Sequence, residues 1–177
     1  MKRYSPALLL DACVVSDILN VDVEIISLIT QVLGAVYVPS VIVDELRRKF
    51  ELGEIIKLGF EILEVSDEAQ YAATVVKNQK KYRALTQNDC ACLIMASQTN
   101  CSCVTNDFAL QKACKDFNVA VLWELEVVLM LYERDGISYE RAERYLDKLK
   151  RISFYITPQV SERFTTELNQ IKKKKET

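Results

Sequence analysis

The sequence contains no histidine. That absence removes Ser-His-Asp and Cys-His nucleophile systems, imidazole acid–base catalysis and His-ligated zinc together. Catalysis here would have to rest on carboxylates, thiols, lysines, hydroxyls or a cofactor. Excess positive charge is missing too: 23 Lys and Arg stand against 25 Asp and Glu, a net charge of −2. The surface as a whole is therefore not built to grip nucleic acid, although a local basic patch is compatible with these numbers. No apolar run approaches the roughly 20 residues that span a bilayer. Lys2 and Arg3 precede an apolar stretch that looks like a secretory signal, but Asp11 interrupts it and no small-residue cleavage site follows. With only 4 Gly and 3 Pro, there is no linker, low-complexity segment or repeat. The six cysteines lie scattered in apolar segments, as reduced thiols do, and do not frame a small disulfide fold. The expectation is a cytoplasmic protein with no membrane contact.

What is present suits one domain with a sizeable core: 177 residues, half hydrophobic and 27% charged. "PALLLDACVV" reads as a short buried strand ending near Asp11, and "VDVEIISLITQVLG" as a helix from Val21 to Gly34. "AVYVPS" is a second strand, with Ser40 as N-cap of the helix "VIVDELRRKF". "GFEILEVS" reads as a strand or an extended loop, and Asp67 opens a helix, "EAQYAATVVKNQKKY". Then come a helix from Asn88, a strand "CSCVT", a helix from Asp107, a strand "VAVLW" and a helix "ELEVVLMLYERDG". From Ser138 the chain reads as two further helices, the second opened by Pro158 and fraying in the lysines after Ile171. Apolar strands alternating with helices predict an α/β fold of three layers, α/β/α. Its central sheet of about four to five strands is mostly parallel, and C-terminal helices follow. Two regions are expected: residues 1–135, and a helical extension over 136–177 packed on the same domain.

In such sheets, sites form beyond the carboxyl ends of the strands, where Asp11 and Asp107 fall. A carboxylate beside a buried strand is expensive without compensation. Each acid also has a plain structural reading. Asp11 and Asp107 would serve as helix caps, Asp89 would complement a helix dipole in its first turn, and Glu45 would pair with Arg48 or Lys49. The cysteine pairs "CAC" and "CSC" suggest four thiolates for zinc. However, Cys90 and Cys92 stand two apart on a helix and point to nearly opposite sides, so core packing is the expectation.

Taken together, the acids form an order: one after the first strand, one on the helix after the second, one opening the helix before "CSCVT", one after it. This order, with "LLLDACVV", "VPSVIVDELRR", "LTQNDCACLIMA", "CVTNDFALQKAC" and "VAVLW" around it, resembles the PIN-domain nuclease family. The resemblance covers roughly Ala7 to Leu131. It implies a PIN-like fold, with Asp11, Glu45, Asp89 and Asp107 as catalytic and metal-site acids and Thr105 as an accessory hydroxyl. Cys13 stands where the family often has Ser or Thr. Asp44, beside Glu45, is the alternative acid on that helix and would point to a different face.

The resemblance further implies cleavage of single-stranded RNA leaving a 5′-phosphate, and for many members the toxin role in a toxin–antitoxin pair, with an inhibitory antitoxin as partner. Oxygen ligands without His or thiolate favour Mg²⁺ or Mn²⁺, so a metal-activated water replaces a protein nucleophile. Arg47, Arg48 and Lys49, and Lys80, Lys81 and Arg83, are the clusters that would contact RNA phosphates, or else are solvated helix faces. The helix "ELEVVLMLYE", apolar almost all round, suits deep burial or a homodimer interface. The competing reading is a catalytically silent PIN-like module for interaction or RNA binding. A phosphotransferase with an Asp nucleophile fits worse, because Cys13 stands where dehalogenase-like enzymes carry a second Asp.

Overall fold

Leu8, Leu9 and Leu10 are buried to the last residue and form β1 (Leu8–Leu10), the middle strand of a five-stranded sheet. The computed structural model describes residues 7–177. On one side of β1 lie β2 (Val36–Pro39) and then β3 (Glu61–Leu63); on the other lie β4 (Ser102–Val104) and then β5 (Val121–Leu122). Every pairing is parallel, with Leu9 opposite both Tyr37 and Cys103. Complete burial of β1 and β4 requires helices on both faces. The expected α/β architecture is therefore the observed one, and the undecided "GFEILEVS" supplies the edge strand β3.

The helices depart from expectation at identifiable places. The residues after Asp11 do not prolong the strand: they form α1 (Ala12–Val21), followed by α2 (Ile25–Val32), in place of one helix from Val21 to Gly34. The turn at Asp22 is held locally, by the Glu24 amide on its carboxylate at 3.2 Å, and from a distance. Arg141 grips the Asp22 carboxylate through Nε at 2.8 Å and a terminal nitrogen at 2.9 Å, and reaches Glu24 at 2.9 Å. Helix α3 (Ser40–Leu46) starts at the expected cap itself, one residue early, with Pro39 as N-cap. The Ser40 hydroxyl instead accepts from the Val65 amide at 3.2 Å, tying the end of β3 to α3. A short α4 (Leu52–Ile56) precedes β3. Helix α5 (Asp67–Lys77) is capped by Ser66 and stops before Lys80–Tyr82, which form a 3₁₀ turn.

Helix α6 (Gln87–Thr99) opens at a Thr86–Asp89 capping box, and α7 (Phe108–Asp116) opens at Asp107. With so few glycines, Asn100 (φ +54°) and Asn118 (φ +55°) take the left-handed turns that end α6 and follow α7. Asn tolerates that region better than other side chains bearing a Cβ. Helix α8 (Glu124–Glu133) is buried within the chain by α2, α9 (Tyr139–Ile152) and α10 (Pro158–Lys175), so its apolar girth is accounted for without a second copy. The terminal lysines do not fray: α10 continues to Lys175, whose ammonium binds Asp135 at 2.6 Å and lies over the Tyr132 ring. No helix among the described residues is long and apolar enough to cross a membrane. All six cysteines are free and only Cys13 is partly accessible.

Candidate active site

Asp11 follows β1 at the carboxyl edge of the sheet and is 3% exposed. Its Oδ1 accepts the Val14 amide at 3.0 Å, which makes it the N-cap of α1, and also the Cys13 thiol at 3.0 Å. Its Oδ2 accepts the Thr105 hydroxyl. Cap and site residue are thus compatible roles, because at this edge of a parallel sheet a strand end and a helix start are the same few residues. Burial outweighs these donors and pushes the Asp11 carboxyl up to about 6, with the neighbouring Asp89 adding to the rise. Cys13, the departure from the family pattern, still occupies the accessory place as a donor, and burial pushes its thiol far above the ordinary value.

Asp107, after β4, repeats the arrangement. Its Oδ1 accepts the amides of Ala109 at 2.6 Å and Leu110 at 3.0 Å, opening α7. Thr105 joins the two acids, since its hydroxyl donates to Asp11 and accepts the Asp107 amide at 3.0 Å. Asp89, in the first turn of α6, accepts the Thr86 amide at 2.7 Å. Burial raises its carboxyl, and the charges of Asp107 and Glu45 raise it further. Asp89 therefore stands electrostatically between the other three acids. Glu45 is half-buried on α3 and accepts the Asn88 side-chain amide at 2.7 Å. Asp44, by contrast, faces solvent and pairs with Arg47 at 3.7 Å. The four acids come from four elements, three of them at helix N-termini whose amide dipoles lessen the cost of gathering negative charge.

The basic candidates divide. Arg47 and Arg48 are exposed on the turn leaving α3, as is Lys49, which borders a cleft beside Glu45. Lys81 is held by Asp116 at 2.8 Å, at the end of α7 opposite Asp107. Arg83 is exposed just after the 3₁₀ turn.

Several participants carry no plain signal in the sequence. Asn88 fixes Glu45 but differs in no visible way from other helix-start asparagines. Tyr155, between α9 and α10, donates its hydroxyl to Asp107 Oδ2 at 3.0 Å, and burial with that carboxylate's charge raises its phenol. Behind the site, Asn106 donates to Glu124 at 2.6 Å and Asp17 at 3.3 Å, while Tyr145 donates to Glu124. Glu124 is 2% exposed; burial and the Asp17 charge push its carboxyl well above the usual carboxylate range. Here the sequence did offer a signal, because Glu124 follows β5 at the same sheet edge as Asp11 and Asp107. This buried network clamps the Thr105–Asp107 loop from behind, and Gln111 bonds the Thr105 carbonyl at 3.0 Å to complete it.

The four acids offer carboxylate oxygens, a set suited to hard cations such as Mg²⁺ or Mn²⁺. Each carboxylate also has a protein hydrogen-bond partner, and no three Cys, Asp or Glu side chains among the described residues already form a compact ligand cluster. Cys90, Cys92, Cys101 and Cys103 are buried in the core, in keeping with the packing role expected of them.

A family model described as PIN domain matches residues 14–170. The chain belongs to the PIN-domain family. The match takes in Glu45, Asp89 and Asp107 and continues through α9 into α10, beyond Leu131 where the resemblance in the sequence ends. Among solved structures, the chain is similar to a chain in the crystal structure of VapBC2 from Rickettsia felis bound to a DNA fragment from their promoter. That likeness has 14% identity and a TM-score of 0.50, covering 66% of this PIN protein and 98% of the other chain. It establishes the fold in common. No curated relative matches the chain.

Proposed function

We propose that this PIN protein is a metal-dependent endoribonuclease that hydrolyses phosphodiester bonds of single-stranded RNA, with Asp11, Glu45, Asp89 and Asp107 holding Mg²⁺ or Mn²⁺. The observation that carries the reading is the gathering of acids at one sheet edge: Asp89 is raised by burial and further by the charges of Asp107 and Glu45, and it adds in turn to the rise that burial gives Asp11. Four acids coupled in this way repel a phosphodiester as well as each other, so a cation is the natural complement. When bound, the ion supplies charge neutralisation and the acidity that makes water a nucleophile. The protein's part is to hold the acids: Thr105 orients Asp11, Asn88 orients Glu45, Thr86 orients Asp89 and Tyr155 orients Asp107. A toxin role, with an antitoxin protein as inhibitory partner, belongs to the same proposal, as does a cytoplasmic location.

The test is incubation of the pure protein with mixed single-stranded RNA, in Mn²⁺ or in chelator. Cleavage is expected with Mn²⁺ and not in chelator. Iodoacetamide at pH 8 should leave activity intact, because five thiols are buried and the Cys13 thiol is held protonated. Robust cleavage in chelator, or loss on alkylation alone, overturns the mechanism. Binding of RNA with no cleavage under any divalent ion would leave the silent module as the better reading. Growth arrest on expression, relieved by the protein of an adjacent gene, tests the toxin role.

A further inference from the structure

We infer that the cleft between Lys49 and Phe154 is a subsite for one unpaired base of a single-stranded nucleic acid, with Phe154 as its stacking platform. The inference rests on the nuclease reading above, because it assigns the base neighbouring the bond to be cut. Phe154 is 83% exposed, more than any other large hydrophobic residue among those described. A lone exposed apolar side chain is ordinary; this one is distinguished by how it is held and what surrounds it.

Its ring lies 4.0 Å, centroid to centroid, from that of Tyr155, at 35°. Tyr155 is anchored by its hydroxyl on Asp107. One face of Phe154 is thus backed by a ring fixed to a site acid, and the other is open. The ring stands at a cleft of ≈ 320 Å³, a size suited to one nucleotide, with Cys13, Asp17 and Glu45 among the residues lining it and Lys49 at its rim. The distribution of charge sets the orientation. Asp17 and Glu45 repel a phosphate from the interior, where an uncharged base is tolerated. Lys49 has no ion-pair partner among the described residues and can meet the backbone phosphate outside. A base face against an aromatic ring, with a cation on the neighbouring phosphate, is the general chemistry of single-strand binding. A duplex cannot enter, because its base faces are already stacked.

The experiment uses the full chain in Mn²⁺ and a short RNA carrying one 2-aminopurine, followed by stopped-flow fluorescence before turnover, with Kd taken from the amplitude. Stacking on Phe154 should quench the probe. Phe154→Ala should abolish the quench and weaken binding about tenfold, and Phe154→Trp should restore both. An abasic nucleotide at the probe position should cost the wild type the same factor and cost Phe154→Ala nothing more. Because Phe154 is exposed, the alanine variant should melt with the wild type. Quenching without cleavage keeps the subsite and removes the hydrolase reading. Cleavage in which Phe154→Ala changes neither Kd nor quenching removes the subsite and keeps the hydrolase. Absence of RNA binding by the wild type overturns the inference, as does an effect of Phe154→Ala on oligomeric state alone, by light scattering, which would make the ring a protein contact.

Discussion

Glu45→Gln is expected to lower the rate of RNA cleavage at least about 100-fold while Asp44→Asn stays within about twofold of wild type. The two residues are neighbours on α3, so their side chains diverge by about 100° around the helix axis. Glu45 meets Asn88 and contributes to the field on Asp89, whereas Asp44 points to solvent beside Arg47. Losing about 3 kcal/mol of transition-state stabilisation corresponds to the stated factor. A glutamine oxygen can still accept from Asn88, so Glu45→Gln should melt near the wild type and the loss can be assigned to charge. The measurement is single-turnover cleavage in saturating Mn²⁺ together with a thermal melt. Loss in Asp44→Asn with activity kept in Glu45→Gln would show that α3 presents its other face to the metal.

Asp11→Asn should stabilise the metal-free protein at neutral pH and lose that advantage at pH 4. Burial raises the Asp11 carboxyl from 3.8 to about 6. In metal-free protein the folded state therefore binds the proton more tightly than the unfolded chain. The contribution of this group to stability is complete below about pH 4 and is lost as pH rises through 6, a change of about 3 kcal/mol. Asparagine keeps the shape, can accept from Val14 with its oxygen, and never ionises. For a chain of this length the difference at pH 7.5 amounts to roughly 6–12 °C in Tm. Mn²⁺ at about ten times its Kd should raise the wild-type Tm by roughly 3–5 °C, and that shift should shrink in the variant. Differential scanning fluorimetry at pH 4 and 7.5, with and without Mn²⁺, gives all the values. A variant destabilised at pH 7.5 with its Mn²⁺ shift intact would leave Asp11 as the cap of α1 alone.

The periodic features were readable because they are local. Three leucines with no polar alternation mark a strand covered on both faces, and β1 is that strand. Asp107 and Ser138 sit at helix starts in the sequence and cap α7 and α9 in the structure, and Pro158 opens α10 as its place in the sequence suggests. Errors arose where a distant residue decided. The reading of residues 12–15 as a strand misses α1, and at the turn that ends it Asp22 is gripped by Arg141, far along the chain, as well as accepting the nearby Glu24 amide. Ser40 is a sound cap by local chemistry, but Val65 competes for its hydroxyl. The lysines of α10 look like a solvated tail until Asp135 and Tyr132 are placed beside Lys175.

The same division runs through the candidate site. The order of the four acids is a property of the sequence, since Asp11, Asp89 and Asp107 lie at strand ends or helix starts that local patterning reveals, and Glu45 lies on the helix after the second strand. Their joint surroundings are not. That Glu45 and not Asp44 meets Asn88 follows from the rotation of α3 against α6, and Asp11 is raised by burial under the folded chain while the Thr105 hydroxyl, 94 residues away, opposes that rise. Tyr155, from the loop between α9 and α10, reaches Asp107 only because α9 packs against α1 and α8 and brings that loop back over the sheet edge. Residue type and local periodicity determine which groups are available and roughly where along the chain each element begins. Desolvation and charge coupling depend on what the folded chain places within a few ångströms, and those neighbours are remote in sequence, so the tertiary structure alone decided them.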